Sequence, residues 1–266
     1  MSFSFVNPWH LFLPREGGHV ISFMGSGGKT SLQLLVAEVY QEGSLPVILT
    51  NTTQCEILPS MAAFHFEEAL TADHSRLPSL FYLHNGVDEK KKWQGLRPEQ
   101  VDQLGEIFPE RIVLVEVDGA RKLPLKFYRE NEPVWPQRTS LAFLVMGVNA
   151  VGSKAGAGIH RWGIETALNL GKLRDESVLE WGHLKEILNG SGGYLDQLPA
   201  NVPTVLALAG VNDQPDSIGL FEFVGAAMEH PRLPLVVFCS QDRDPETDKV
   251  VWNLRTSAVE SGEDGR

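Results

Sequence analysis

The chain has 266 residues, 42% of them hydrophobic, and a formal net charge of −11, which argues against a nucleic-acid or anionic-lipid partner while leaving room for a local basic pocket. Two cysteines, Cys55 and Cys239, are too few for a disulfide framework or a cysteine-built zinc site. No apolar run approaches the ~20 residues of a membrane span, and no basic region followed by an apolar core opens the chain, so a cytoplasmic protein is expected.

Residues 19–24 form a short apolar run, Val20, Ile21, Phe23 and Met24 among them, which predicts a first strand. Leu32, Leu35, Val36 and Val39 then recur at helical spacing over 30–41, and Gly43 suits the helix end. Strands are predicted at 46–50 and 81–83, and Pro98 opens a helix that passes through Val101 and Leu104. Residues 111–117 make the strongest strand, with another at 141–146. A helix over 177–188, a strand at 204–208, a helix over 217–228 and a strand at 235–238 complete the series. Strands alternating with helices predict an α/β protein with a mostly parallel sheet and helices on both faces. Residues 1–255 read as a single domain with an irregular insertion near 149–175, where Gly152, Gly156, Gly158 and Gly163 permit movement. The small, charged residues 256–266 read as a disordered tail.

Between the first strand and the first helix stand Gly25, Gly27 and Gly28, followed at once by Lys29 and Thr30. Glycines let backbone N–H groups turn toward an anion, and the helix start adds unpaired donors and the positive end of its dipole. In such a cradle Lys29 reaches the β- and γ-phosphates and the Thr30 hydroxyl ligates Mg²⁺. The full eight-residue pattern would have glycine at its first position, where this chain has Phe23.

Glu116 and Asp118 end the strongest strand, where ligands of open α/β sheets bind. Their spacing of two puts both carboxylates on one face of a regular strand, from which they can organise Mg²⁺ or an attacking water. Thr50, Thr52 and Thr53 surround Asn51 at the end of the second strand, and either bond phosphate and metal water or cap the next segment. Arg161 is a candidate phosphate contact, with His160 as the partner of an acid.

Taken together, these residues resemble the YqeC family, described as accessory proteins of selenium-dependent molybdenum hydroxylases. The likeness runs in order over about residues 18–240. It is carried by the loop Gly25-Ser26-Gly27-Gly28-Lys29-Thr30-Ser31 and the acidic stretch Glu116-Val117-Asp118-Gly119-Ala120-Arg121. It continues through Pro124-Leu125-Lys126 and Glu132-Pro133-Val134-Trp135-Pro136, with weaker support from the threonine run and His160-Arg161. The resemblance implies a P-loop NTPase fold, a nucleotide site on Gly25, Gly27, Gly28, Lys29, Thr30, Glu116 and Asp118, and work in maturing a selenium- or molybdenum-containing enzyme. Asn51 interrupts what is a threonine run in relatives, and Asn131 stands where a histidine is expected.

The expectation is a Mg²⁺-dependent nucleoside triphosphatase in which Lys29, Glu116 and Asp118 act on the nucleotide and Thr30, Glu116 and Asp118 hold the metal. Gly25 through Ser31, Thr52, Thr53 and Arg161 would bind the nucleotide. ATP is preferred over GTP, because the guanine-reading Asn-Lys-x-Asp pattern is missing from 210–213, although Asp213 could touch a base. A small-molecule kinase or ATP-dependent ligase, and a non-catalytic nucleotide-binding protein, are the alternatives.

Overall fold

Nine strands form one sheet among the described residues of this computed structural model, which are 12–164, 170, 173–211, 216–243 and 250–256. In chain order they are β1 (Val20–Gly25), β2 (Val47–Asn51), β3 (Ala63–His65), β4 (Leu80–His84), β5 (Ile112–Glu116), β6 (Thr139–Gly147), β7 (Thr204–Ala209), β8 (Leu235–Arg243) and β9 (Val250–Thr256). Their spatial order is β9-β8-β7-β6-β1-β5-β2-β4-β3, and every pairing is parallel except β8 with β9. The mostly parallel α/β architecture expected from the sequence is therefore present, in a P-loop NTPase-like arrangement.

Both faces of the sheet are covered, which explains why its strands are nearly continuous apolar runs. In β1, Ile21 and Phe23 face the side of α1 (Lys29–Glu42), where Leu32, Val36, Ala37 and Tyr40 pack on them. Val20 and Met24 face the other side, under residues of α2 (Phe66–Thr71), α3 (Pro98–Ile107), α4 (Trp181–Asn189) and α5 (Ser217–Met228). Ser22 is the buried polar exception, within 2.9 Å of the Thr139 hydroxyl. Across β1 and β6, Phe23 and Phe143 stack with centroids 5.0 Å apart. No helix among the described residues is long and apolar enough to cross a membrane.

Three differences from the sequence reading have physical causes. The helix expected from 177 starts at Trp181, because the preceding residues bond to the insertion: Ala155 N–H donates to Ser177 O and Leu179 N–H to Ser153 O. Strand β9 was not anticipated, and Thr256, placed in the tail by composition, pairs with Val237. Residues 257–266 lie outside the described residues, as does Asp213. The insertion is not wholly irregular: Ile159–His160 pairs in parallel with Leu125–Lys126. Residues 165–169 and 171–172 of it lie outside the described residues.

Phe143 has no solvent exposure and touches both Phe23 and Phe12. Phe143→Ala is expected to cost about 3–5 kcal/mol of folding stability, read as a lower urea midpoint with an unchanged slope.

Candidate functional site

β1 ends where its neighbours leave no room for side chains. At Gly25 (φ 102°) a Cβ would lie 2.0 Å from the Val145 carbonyl oxygen, and at Gly27 (φ 88°) it would lie 2.7 Å from the Gly147 Cα. The loop is pressed against the end of β6, and only glycine fits that close approach. Gly28 then opens α1 with no side-chain cap and no acid in the first turn. The first-turn amides therefore keep the donor capacity that suits a phosphate group.

Lys29, 4% exposed, folds its side chain back over this loop. Its Nζ donates to Gly25 O at 2.7 Å and lies 3.1 Å from Asp118 Oδ1. The Gly25 N–H donates to Asp118 Oδ2 at 2.9 Å, so one carboxylate grips both the loop and its lysine. Beside them the Thr30 hydroxyl donates to Glu116 Oε1 at 2.5 Å. Strand register explains this contact: Glu116 lies opposite Phe23 of β1 and Asn51 of β2, at the carboxyl edge next to the loop. Burial pushes the Glu116 carboxyl above its usual range, against the opposing pull of Lys29 and the Thr30 hydroxyl.

Asp118 leads to a second buried lysine that sequence reasoning had not placed in the site. Lys126 has no solvent exposure, and its Nζ lies 3.2 Å from Asp118 Oδ2 and 3.0 Å from Glu132 Oε2. It also donates to Gly119 O at 2.8 Å and sits 4.5 Å from the centre of the Tyr128 ring. Glu132 in turn accepts two bonds from the Arg161 guanidinium, at 2.6 Å and 2.5 Å. A charge chain thus runs from Lys29 through Asp118, Lys126 and Glu132 to Arg161. The sequence signal for it was the Pro124-Leu125-Lys126 and Glu132-Pro133 stretches, which carried a resemblance but no chemistry.

The other expected site residues divide. Ser26 bonds Leu123 O through its hydroxyl and Val145 O through its N–H, so it anchors the loop. Ser31 and Thr53 are half-buried near the ends of their elements. Thr50 donates to Leu83 O and Thr52 to Val134 O, which spends both hydroxyls on backbone carbonyls. Asn51 accepts from the Tyr82 hydroxyl at 2.6 Å and donates to Thr53 O, holding the bend that Gly95 and Leu96 complete with their own N–H groups. This run therefore serves chain packing more directly than it serves a ligand. Arg161 is clamped on Glu132 rather than open toward the loop. His160, expected beside an acid, is instead held down by burial first and then by the nearby Arg161, Lys126 and Arg121 charges, which bring its pKa to about 4.

Among the described residues no group of three or more His, Cys, Asp or Glu side chains could hold a metal ion. Mg²⁺ has a smaller requirement, since it keeps several waters and takes one or two protein oxygens alongside substrate phosphates. The adjacent Thr30 and Glu116 oxygens suit that role. Asp118 is engaged by two ammonium groups and an amide on the other side of the loop.

A glycine loop between the central strand and the first helix of a mostly parallel, doubly covered sheet defines the P-loop NTPase-like class of α/β fold. Within that class, the family model described as YqeC protein matches residues 21–163, and the chain belongs to that family. The match takes in the glycine loop, both acids, Lys126, Glu132 and Arg161. The chain is also similar to the uncharacterized protein YqeC of Escherichia coli (strain K12), at 27% identity over 219 residues, covering 79% of this chain and 83% of that protein.

Burial alone would raise the Glu132 pKa, but hydrogen bonds and charges from Arg161 and Lys126 outweigh it and bring it from 4.5 to about 2. A carboxylate depressed in the folded state stabilises the fold above its unfolded pKa, and that contribution is lost as pH falls through the folded value. The urea midpoint of the native chain is therefore expected to drop between pH 4.5 and about 2. Glu132→Gln should be less stable at neutral pH and flatter across that acid window; an equally steep acid loss would show that this pair is not its source.

Proposed function

We propose that this protein binds a nucleoside triphosphate with Mg²⁺ at the glycine loop and hydrolyses it, ATP in preference to GTP. The observation that carries the reading is the convergence of the buried Lys29 ammonium with the Thr30–Glu116 pair at one loop mouth. The ammonium and the uncapped first-turn amides suit polyphosphate oxygens, and the hydroxyl and carboxylate suit the metal. Glu116, buried at the strand end, would help Thr30 hold Mg²⁺ through its water shell, and the bound ion would neutralise charge on the phosphates. The Glu116 carboxylate is also placed to accept a proton from an attacking water.

The family membership supports a finer proposal: the hydrolytic cycle serves the maturation of a selenium- or molybdenum-dependent hydroxylase or its cofactor. A hydroxylase or cofactor-maturation protein is then the partner that completes the site, and slow turnover by the chain alone is expected. A kinase or ligase reading needed Thr50 to Thr53 and Arg161 to face an acceptor. Thr50 and Thr52 bond backbone carbonyls and Arg161 bonds Glu132, so no observation favours it over hydrolysis.

Calorimetry with MgATP and MgGTP is the direct test, followed by phosphate release. Lys29→Ala should weaken MgATP binding by about 2–3 kcal/mol through loss of a charge-assisted contact. Glu116→Gln should lower the Mg²⁺ dependence of binding and abolish turnover. Unchanged affinity in Lys29→Ala would refute the phosphate assignment, and tight binding without phosphate release over hours would make the nucleotide a fixed structural ligand.

A further inference from the structure

Two ammonium groups share the Asp118 carboxylate in an almost water-free setting, which one catalytic lysine alone would not require. Lys29 contacts Oδ1 and Lys126 contacts Oδ2, and the side chains of Asp118 and Lys126 have no exposure. The two lysines are anchored differently. Lys126 is fixed by Gly119 O, Glu132 and the Tyr128 ring, while its backbone N–H donates to the Tyr194 hydroxyl at 2.9 Å. Lys29, on the first residue of α1, is held among the described residues by Gly25 O and Asp118, with the Glu116 charge also within its reach. Across this cluster Lys29, Lys126 and Arg161 stand against Asp118, Glu132 and Glu116, the last of which accepts from the Thr30 hydroxyl and feels the pull of the Lys29 charge.

We propose that Lys126 is a positioning residue of the phosphate site: it is the permanent counter-ion of Asp118, and so lets Lys29 leave that carboxylate for an incoming polyphosphate. This rests on the nucleotide-binding reading above. A buried carboxylate stripped of its only cation is strongly destabilised, so a single Lys29–Asp118 pair would hold its lysine against the ligand. With Lys126 in place, Asp118 keeps one ammonium and the Gly25 N–H on Oδ2 after Lys29 departs. The Lys29 ammonium then meets the anion while Asp118 keeps a counter-ion. Glu132 and Arg161 complete the device by keeping Lys126 from following the phosphate.

The test is a double-mutant cycle on MgATP affinity, measured by calorimetry in the full chain, with Lys126→Met, Asp118→Asn and the two combined. Lys126→Met should weaken binding by about tenfold or more, because Asp118 then holds Lys29. In the Asp118→Asn background the same change should alter affinity by less than about twofold, since no carboxylate remains to compete. A merely structural lysine would lower affinity equally in both backgrounds, and that result, or no loss in either, overturns the proposal. A crystal structure of the native chain with Mg²⁺ and a non-hydrolysable ATP analogue tests it without any variant. Lys29 Nζ should have left Asp118 while Lys126 still touches both Asp118 and Glu132; Lys126 turned onto phosphate, or Lys29 still paired with Asp118, overturns it. Failure of the native chain to bind MgATP or MgGTP overturns the nucleotide reading itself, whereas native binding with additive losses overturns only the role of Lys126.

Discussion

The carboxylate of Asp118 joins three parts of the molecule that are distant in sequence. Its two oxygens reach the first glycine of the loop, the lysine that begins α1 and a lysine on the return segment at 125–126. A charge this deeply buried persists only when its partners are fixed. The backbone amide of Gly25 holds Oδ2 in a way no side-chain substitution can remove, while Oδ1 accepts no hydrogen bond among the described residues and relies on the Lys29 ammonium 3.1 Å away. The loop conformation and the placement of Asp118 therefore depend on each other. If the loop opened, the carboxylate would lose its amide donor, and both ammonium groups would lose the fixed position of their shared anion.

The parallel sheet makes this arrangement possible. β1 is flanked by β5 and β6, which both run alongside it, so three strand ends open at the same edge. One supplies the glycine loop, one supplies Glu116 and then Asp118, and one supplies the carbonyl against which the loop is pressed. Chain order reverses around β1, and crevices at such points are where open α/β sheets bind ligands. An overall acidic protein can gather Lys29, Lys126 and Arg161 beside this edge because the topology brings their distant segments together.

Legibility in the sequence followed burial. β1, β5, β6 and β7 are covered on both faces, so each is a nearly continuous apolar run, and their positions could be read directly. The glycine loop was legible for a related reason: Gly25 and Gly27 stand where a neighbouring backbone excludes a Cβ, and no other residue substitutes. β9 was not legible, because an edge strand that alternates around Trp252 and Leu254 borders a polar, charged stretch and carries a weak local signal. Lys126 was hidden more completely. A lysine between Leu125 and Phe127 looks like a strand residue with a solvated tip, and only contacts with Asp118, Glu132 and the Tyr128 ring show that the tip is inside. The threonine run was open between a ligand role and a cap, and the carbonyl partners of Thr50 and Thr52 on other segments are contacts that spacing could not indicate.

Those non-local partners also change what the insertion near 149–175 means. Composition made it an irregular appendage, yet Ile159–His160 extends the ribbon that carries Lys126, and Arg161 closes on Glu132 with two bonds. Arg161 adopts a positive φ of 64°, a backbone state that costs a non-glycine residue free energy and persists where the surroundings demand it. The demand here is geometric: the guanidinium has to turn from the ribbon onto a carboxylate that already holds a lysine. Each link of the chain from Arg161 to Lys29 is therefore set by the one before it. The insertion belongs to the electrostatics of the loop as fully as Asp118 does, because without Arg161 the charge on Glu132 would be balanced by Lys126 alone, and Lys126 would be drawn away from Asp118.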